Sequence, residues 1–264
     1  IKRRNKSEKG ERNVEGGQKK SLWQTSQHQL QCIFDLLFPP RCAVCKHGGY
    51  VLCPQCLNAI QPLHPPLCPH CGTQLLHNTP CRNCRYGAVR LNVLRVFGSY
   101  QGSLRSCIHE LKYNRQKRLA QPLGSLLAQA YRGYGLQADL ILPVPLHKER
   151  QRQRGYNQTA LLARQCATEL GIVLREDILL RHRATAAQAS LKARERQHNV
   201  AGAFTCHPLF ATGALSGRTI LLIDDVCTTG ATLEACATPL FAAGARSVCG
   251  LVLARPIQET RESF

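Results

Sequence analysis

Two groups of residues carry chemistry by type and spacing. The first is a set of eight cysteines in four Cys-x-x-Cys pairs: Cys42/Cys45, Cys53/Cys56, Cys68/Cys71 and Cys81/Cys84. A Cys-x-x-Cys turn aims two thiolates at one tetrahedral metal ion, and a second turn completes the set of four. Seven residues separate the first two pairs and nine the last two, which fits zinc ribbons. Two sequential four-cysteine zinc sites are the natural reading, although interleaved pairs satisfy the same spacing. A redox Cys-x-x-Cys would occur once, beside a βαβ unit, rather than four times in a Pro-rich segment. Closed four-cysteine sites are structural, so this group predicts metal without predicting a reaction. His64, His70 and His77 lie nearby, but eight cysteines already satisfy two zinc ions.

The second group is the run Thr219-Ile-Leu-Leu-Ile-Asp224-Asp225-Val226-Cys227-Thr228-Thr229-Gly230-Ala231-Thr232. An apolar strand here delivers two carboxylates to its C-terminal end, where open α/β sheets bind ligands. The loop that follows offers threonine hydroxyls and unpaired backbone N–H groups at a helix N-terminus, an arrangement suited to an anion. Carboxylates for sugar hydroxyls and an anion loop beside them together predict a ribose-5-phosphate cradle. The competing reading is that Asp225 and Thr228 cap the helix. No Gly-Lys pair occurs, so no Walker loop competes.

Those residues need a scaffold, and the patterning from Leu91 onward supplies one. Strands are expected at Val93 to Tyr100, Asp139 to Val144, Ile220 to Ile223 and Ser247 to Leu253. Helices are expected around Leu104, Ile108 and Leu111, over Leu119 to Tyr134, over Thr159 to Leu170 and over Ala231 to Ala243. Alternating strands and helices predict a mostly parallel sheet covered on both faces. Upstream, Leu22, Trp23, Leu30, Ile33, Phe34 and Leu37 share one helical face, which Pro39–Pro40 ends. The expected organisation is a basic tail over 1–20, a helix within 21–40, a cysteine domain over 41–90, an α/β domain over 91–256 and a tail over 257–264.

Composition narrows the class. The 264 residues are 44% hydrophobic and 19% charged, as in globular proteins. No apolar stretch reaches the 18 or so residues a membrane helix needs, and no signal-peptide core is visible, so a cytoplasmic protein without membrane insertion is expected. In a reducing compartment the other seven cysteines (Cys32, Cys107, Cys166, Cys206, Cys227, Cys236 and Cys249) read as small buried hydrophobes. The net charge is +19, and no acidic residue lies between Asp35 and Glu110. Such an excess points to an anionic partner, either nucleic acid or a phosphorylated small molecule.

The Asp224–Thr232 run resembles the 5-phosphoribosyl 1-pyrophosphate (PRPP) signature of type I phosphoribosyltransferases. Four further stretches match the ComF family (competence protein F and GntX-like proteins): Phe38-Pro39-Pro40-Arg41-Cys42, Leu111-Lys112-Tyr113, Pro143-Val144-Pro145-Leu146 and Arg154-Gly155-Tyr156-Asn157-Gln158. The resemblance spans about residues 22–256, in the expected order. It implies a type I phosphoribosyltransferase-like parallel sheet flanked by helices, preceded by a small double zinc-ribbon domain.

It also implies roles. Asp224 and Asp225 would hold ribose hydroxyls, directly or through Mg²⁺. Thr228, Thr229, Gly230 and Thr232 would bind the 5′-phosphate, with the Cys227 and Ala231 backbone lining the loop. Val144, Pro145, Leu146, His147 and Lys148 would form the pyrophosphate loop, with Arg150 and Arg154 neutralising its charge. Arg183, Thr185, Gln188, Leu191, Arg196 and Asn199 match the family's flexible-loop stretch, where a solvated charged face is the plainer alternative. Lys112 is a further candidate. Cys227 near a helix N-terminus invites a nucleophile reading, but in this fold it would contribute backbone only.

Two functions are therefore expected. One is a PRPP-dependent transferase using Mg²⁺ and an unnamed nitrogenous acceptor. The other is a binding module that holds PRPP or a nucleotide end while the basic ribbon region grips single-stranded DNA, in company with DNA-uptake proteins. Aromatics for base stacking are sparse in that region (Tyr50, Tyr86, Phe97 and Tyr100).

Overall fold

The computed structural model describes residues 39–75, 81, 84, 91–183, 200–211 and 213–257. The expected 1–20 tail, the helix within 21–40 up to residue 38, Cys32, His77, Tyr86 and most of the 257–264 tail lie outside them.

Five parallel strands form the sheet: β1 (Val93–Ser99), β2 (Leu140–Pro143), β3 (Val173–Leu174), β6 (Thr219–Val226) and β7 (Ser247–Arg255), in the spatial order β1-β7-β6-β2-β3. A second, two-stranded antiparallel sheet pairs β4 (Leu179–Arg181) with β5 (Phe204–Cys206). The helices are α1 (Pro54–Asn58), α2 (Gly102–Tyr113), α3 (Ala120–Gly133), α4 (Lys148–Arg154), α5 (Gln158–Leu170) and α6 (Ala231–Ala242). The parallel sheet flanked by helices is the one expected from the alternating pattern.

Strand periodicity builds two cores. Leu221 and Ile223 of β6 pack with Leu251 and Leu253 of β7 under α2, α3 and α5. Ile220 and Leu222 face the other way, with Val248 and Val252, under α6 and the β4–β5 hairpin. Burial on both faces explains why β6 reads as an unbroken apolar run.

β1 lies at an edge of the sheet, and the cysteine region covers it. Leu63 N donates to Phe97 O (2.7 Å) and Leu94 N donates to His70 O (2.7 Å), with an isolated bridge between Pro62 and Gly98. These bonds satisfy groups that an open edge would expose. Two glycines permit the approach. A Cβ on Gly98 would sit 2.8 Å from Gln61 O, and one on Gly72, whose φ is +64°, would sit 2.8 Å from Leu94 O.

Gly98→Ala therefore tests the docking without backbone strain. The added methyl group must push the 61–63 segment off β1, at a cost of about 1–3 kcal/mol. A lowered thermal midpoint with zinc content unchanged is the expected result, and an unchanged midpoint would refute close docking.

Candidate functional site

Connections leave β6 in one direction (through α6 to β7) and β2 in the other (through α4 and α5 to β3). The carboxyl ends of β2 and β6 therefore flank a switch point, where open α/β sheets hold ligands. A cavity of about 780 Å³ opens there, lined by Val144, Pro145 and Leu146 after β2 and by Asp224, Asp225, Thr228 and Thr232 after β6.

Adjacent strand residues point to opposite faces, which separates the two aspartates. Asp225 follows the parity of Leu221 and Ile223 and meets the α2/α5 layer. There Lys112 Nζ lies 2.6 Å from its Oδ1, and Gln158 Nε2 donates to its Oδ2 at 2.7 Å. Asp225 is buried, and the Lys112 side chain keeps only a small part of its surface in solvent. Burial alone would push Lys112 down, but the neighbouring Asp225 carboxylate more than offsets this and holds it above the ordinary lysine range. Asp225 is thus tied on both oxygens.

Asp224 is half-buried at the cavity floor. Its Oδ1 accepts from the Asp225 backbone N–H at 2.8 Å and from Thr159 Oγ1 at 3.5 Å. Burial first, and the Asp225 carboxylate second, push Asp224 up to about 7. As the less encumbered carboxyl, it is the one within easier reach of a ligand hydroxyl or a hard cation. The donor set suits Mg²⁺ in part, since that ion commonly takes one or two carboxylates and draws its remaining oxygens from substrate phosphates and water.

The loop between β6 and α6 presents Thr228 and Thr232 to the cavity. Gly230, with φ +90°, turns the chain into α6 and occupies its N-cap, where it has no side chain to offer. The capping alternative therefore does not hold for Asp225, whose carboxylate is engaged by Lys112 and Gln158. Thr229 Oγ1 accepts from Ala231 N at 3.4 Å. Cys227 is committed elsewhere: its N–H donates to Ala254 O (2.9 Å) and its Sγ accepts from Arg255 Nη2 (3.1 Å). Burial pushes its thiol up, with Arg255 pulling the other way, so a thiolate nucleophile is disfavoured.

Cations form the far wall. Arg150 and Arg154 of α4 line the cavity, with Arg115 from the loop after α2 and Arg181 from β4. The Arg154 guanidinium lies 5.4 Å from the centroid of the Tyr113 ring and bonds Gln158 Oε1, while Arg181 stacks on Phe204 at 5.2 Å. His147 and Lys148 sit just outside, His147 Nδ1 accepting from Glu149 N (3.4 Å) at the start of α4. Arg183 donates to Ala201 O (2.7 Å) rather than lining the cavity. Thr185, Gln188, Leu191, Arg196 and Asn199 lie outside the described residues.

The cysteine pairs group sequentially. Cys42, Cys45, Cys53 and Cys56 converge in one cluster, and Cys68, Cys71, Cys81 and Cys84 in another, with all sulfurs of a cluster within 4.8 Å. Separations of 3.6 Å (Cys45–Cys53), 3.7 Å (Cys68–Cys84) and 3.6 Å (Cys71–Cys81) match the roughly 3.8 Å edge of a tetrahedron with Zn–S bonds of about 2.3 Å. Both clusters fit zinc. Of the remaining cysteines described, Cys107, Cys166, Cys227, Cys236 and Cys249 are buried and Cys206 is half-buried.

Sequence reasoning assigned no role to Gln158, Thr159 or Tyr113 and did not single out Arg181 or Arg255. Lys112 carried a usable signal. It falls four residues after Ile108, on the apolar stripe of α2, and a lysine at a core position implies a buried partner.

A parallel sheet with an acid pair and threonine loop at its switch point, fronted by two four-cysteine clusters, defines an open α/β protein with a cysteine-ribbon front end. The double zinc ribbon domain family matches residues 33–85. "DNA utilization protein YhgH" of Salmonella typhimurium is 34% identical over 225 residues, covering 81% of this chain and 96% of its own. "Competence protein F" of Haemophilus influenzae is 32% identical over 204 residues, covering 74% and 87%. Among solved structures, the glutamine PRPP amidotransferase from B. subtilis aligns with a TM-score of 0.35 at 20% identity, over 52% of this chain and 26% of that one. The chain belongs to the ComF family.

Elemental analysis of the purified protein should return two zinc per chain, and a value well below two would contradict two four-cysteine sites. The raised Asp224 carboxyl has its own signature. Because the folded state holds that proton more tightly than the unfolded chain, its contribution to stability is full below about pH 4 and is lost as pH rises towards 7. In magnesium-free buffer, Asp224→Asn should gain stability relative to wild type across that window. A constant difference between the two proteins from about pH 4.5 to 8 would rule this out.

Proposed function

We propose that this chain binds PRPP or a related ribose 5-phosphate, and that it is a phosphoribosyltransferase serving the uptake or use of external DNA. One observation carries the reading: the acid pair ending the central strand runs directly into a Thr-Thr-Gly loop at a helix N-terminus, facing a wall of arginines across one cavity. PRPP carries its ribose hydroxyls between a 5′-phosphate and a C1 diphosphate, so it needs an anion loop, hydroxyl acceptors and counter-charge in that order along its length.

In this reading Asp224 takes the ribose hydroxyls, and Thr228 and Thr232, with the amides at the start of α6, take the 5′-phosphate. Arg150 and Arg154 face the diphosphate. The bond from ribose C1 to the diphosphate oxygen breaks, its electron pair leaves with pyrophosphate, and the acceptor nitrogen bonds C1 and gives up a proton. The arginines stabilise charge developing on the leaving group. Mg²⁺, when bound, would screen the same charge. Lys112 and Gln158 hold Asp225 in place, which fixes the turn from which Asp224 and the loop project.

The names of the relatives support the DNA context, and their similarity extends over both halves of the chain. The exposed cationic side of the molecule supports a second reading, a single-stranded-DNA-binding adaptor located in the cytoplasm. α4 buries none of its residues, and Tyr113, 63% exposed, stands beside it under Arg154. Such a cation–aromatic surface suits an unpaired strand. No described helix is long and apolar enough to cross a membrane.

Calorimetry with PRPP, with and without magnesium chloride, is the test. Binding is expected, and Asp224→Asn should weaken it at least about tenfold, the scale of one charge-assisted contact. Pyrophosphate release in the presence of an acceptor would establish the transferase. Absence of PRPP binding, together with single-strand binding that falls steeply with salt, would favour the adaptor.

A further inference from the structure

Arg255 ends β7, and its side chain leaves the sheet for the ribbon domain. Only 6% of the residue is exposed. Its Nη1 donates to Cys71 O at 2.8 Å and bonds Thr73 Oγ1, while its Nη2 reaches Cys227 Sγ at 3.1 Å. Thr73 Oγ1 in turn lies 3.1 Å from Cys71 Sγ, a member of the second cysteine cluster. One guanidinium thus bridges a metal-ligand turn and the first residue of the loop between β6 and α6.

The surroundings make the bridge stiff. Gly72 packs against the β1 backbone, and Leu94 N donates to His70 O, so the turn cannot slide along β1 without losing both contacts. Leu94 also packs towards Gly230 and Gly250, on the loop and on β7 respectively. Cys227 N is held by Ala254 O, the residue before Arg255. A planar guanidinium with several donors in fixed directions suits such a three-way junction, and a lysine, with a single nitrogen, does not.

We infer that Arg255 is a positioning residue for the 227–232 loop, anchored in the second cysteine cluster, so that a metal ion in that cluster sets the order of the loop. Zinc in a closed four-cysteine site then acts at a distance. It holds the Cys71–Thr73 turn, the turn holds Arg255, and Arg255 holds the start of the loop. The first cluster is tied to a different part of the molecule: Ala43, Val44, Val51 and Leu52 beside it pack into the α2/α3 core, and Lys46 pairs with Glu110 of α2 at 3.2 Å. The inference rests on the phosphate-loop reading for its functional meaning, but the mechanical link can be measured without a ligand.

The experiment is hydrogen exchange on the full chain, with zinc counted in every sample. Cys81→Ser/Cys84→Ser removes the second site without touching the atoms Arg255 contacts. Exchange in the 227–232 loop should rise about tenfold or more while α3 and α5 stay protected. Cys45→Ser/Cys56→Ser should leave that loop within about two-fold of wild type. No change in the first double variant, or an equal rise in both, overturns the inference. If removing the second site unfolds α3 as well, Arg255→Met decides with both zinc ions retained: a mobile loop supports the link and an unchanged loop overturns it. Arg255→Lys should rescue only part of the effect. Titration with ribose 5-phosphate adds a separate arm, with an affinity loss expected to parallel loop exchange. Failure of the wild type to bind ribose 5-phosphate would sink the phosphate-loop reading and leave the exchange result standing.

Discussion

Asp225 has to be buried with its charge compensated, and that requirement draws three elements together. Its carboxylate ends the central strand, Lys112 comes from α2 and Gln158 from α5. A buried carboxylate missing one partner is costly, on the order of 3–5 kcal/mol, whereas a complete set roughly breaks even. The gain from the set is geometry more than stability. Both helices must arrive in register for the triad to close, and when it closes the end of β6 has one position. Asp224, the threonine loop and the mouth of the cavity are all built outward from that point.

The ribbon domain answers a different need. It has little apolar surface to bury, and its core of Cys42, Cys53 and Cys56 is small. Metal held in the two cysteine clusters would supply the cohesion that packing cannot. In return it completes the hydrogen bonds of β1, a strand with a single neighbour in the sheet. The two parts therefore complement each other in hydrogen bonding as well as adjoining in sequence.

Much of this was legible in the residues. The apolar run before Asp224 and Asp225 could be placed because a strand covered on both faces tolerates no polar interruption. The cysteine spacing announced metal because thiolates recur in pairs for little else. The misses also have causes. α4 (KERQRQR) has no apolar period; a histidine cap at its start and Gly155, with φ +84°, at its end delimit it, so it could be read only as a charged turn. The β4–β5 strands are three residues each, too short for alternation to show. The opposed roles of Asp224 and Asp225 follow from strand parity, yet the partners that separate those roles are remote in the chain. Gln158 lies 67 residues from Asp225, and Lys112 lies farther still. Arg255 was invisible for the same reason, since its contact with Cys71 spans 184 residues.

The strand order has a consequence for how the molecule is made. β1 is the first strand of the sheet in the chain, and its neighbour within the sheet is β7, the last one described. A chain emerging from the N-terminus can close its cysteine turns early, because each loop is short. β1 must then wait for its partner, since the Asn92–Val248 contact at the start of their pairing spans 156 residues. Before β6 exists only β2 and β3 of the five-stranded sheet can pair, because β6 and β7 together join β1 to β2. Assembly is set by a late, long-range closure, which makes this fold slow for its size and dependent on the integrity of its far end.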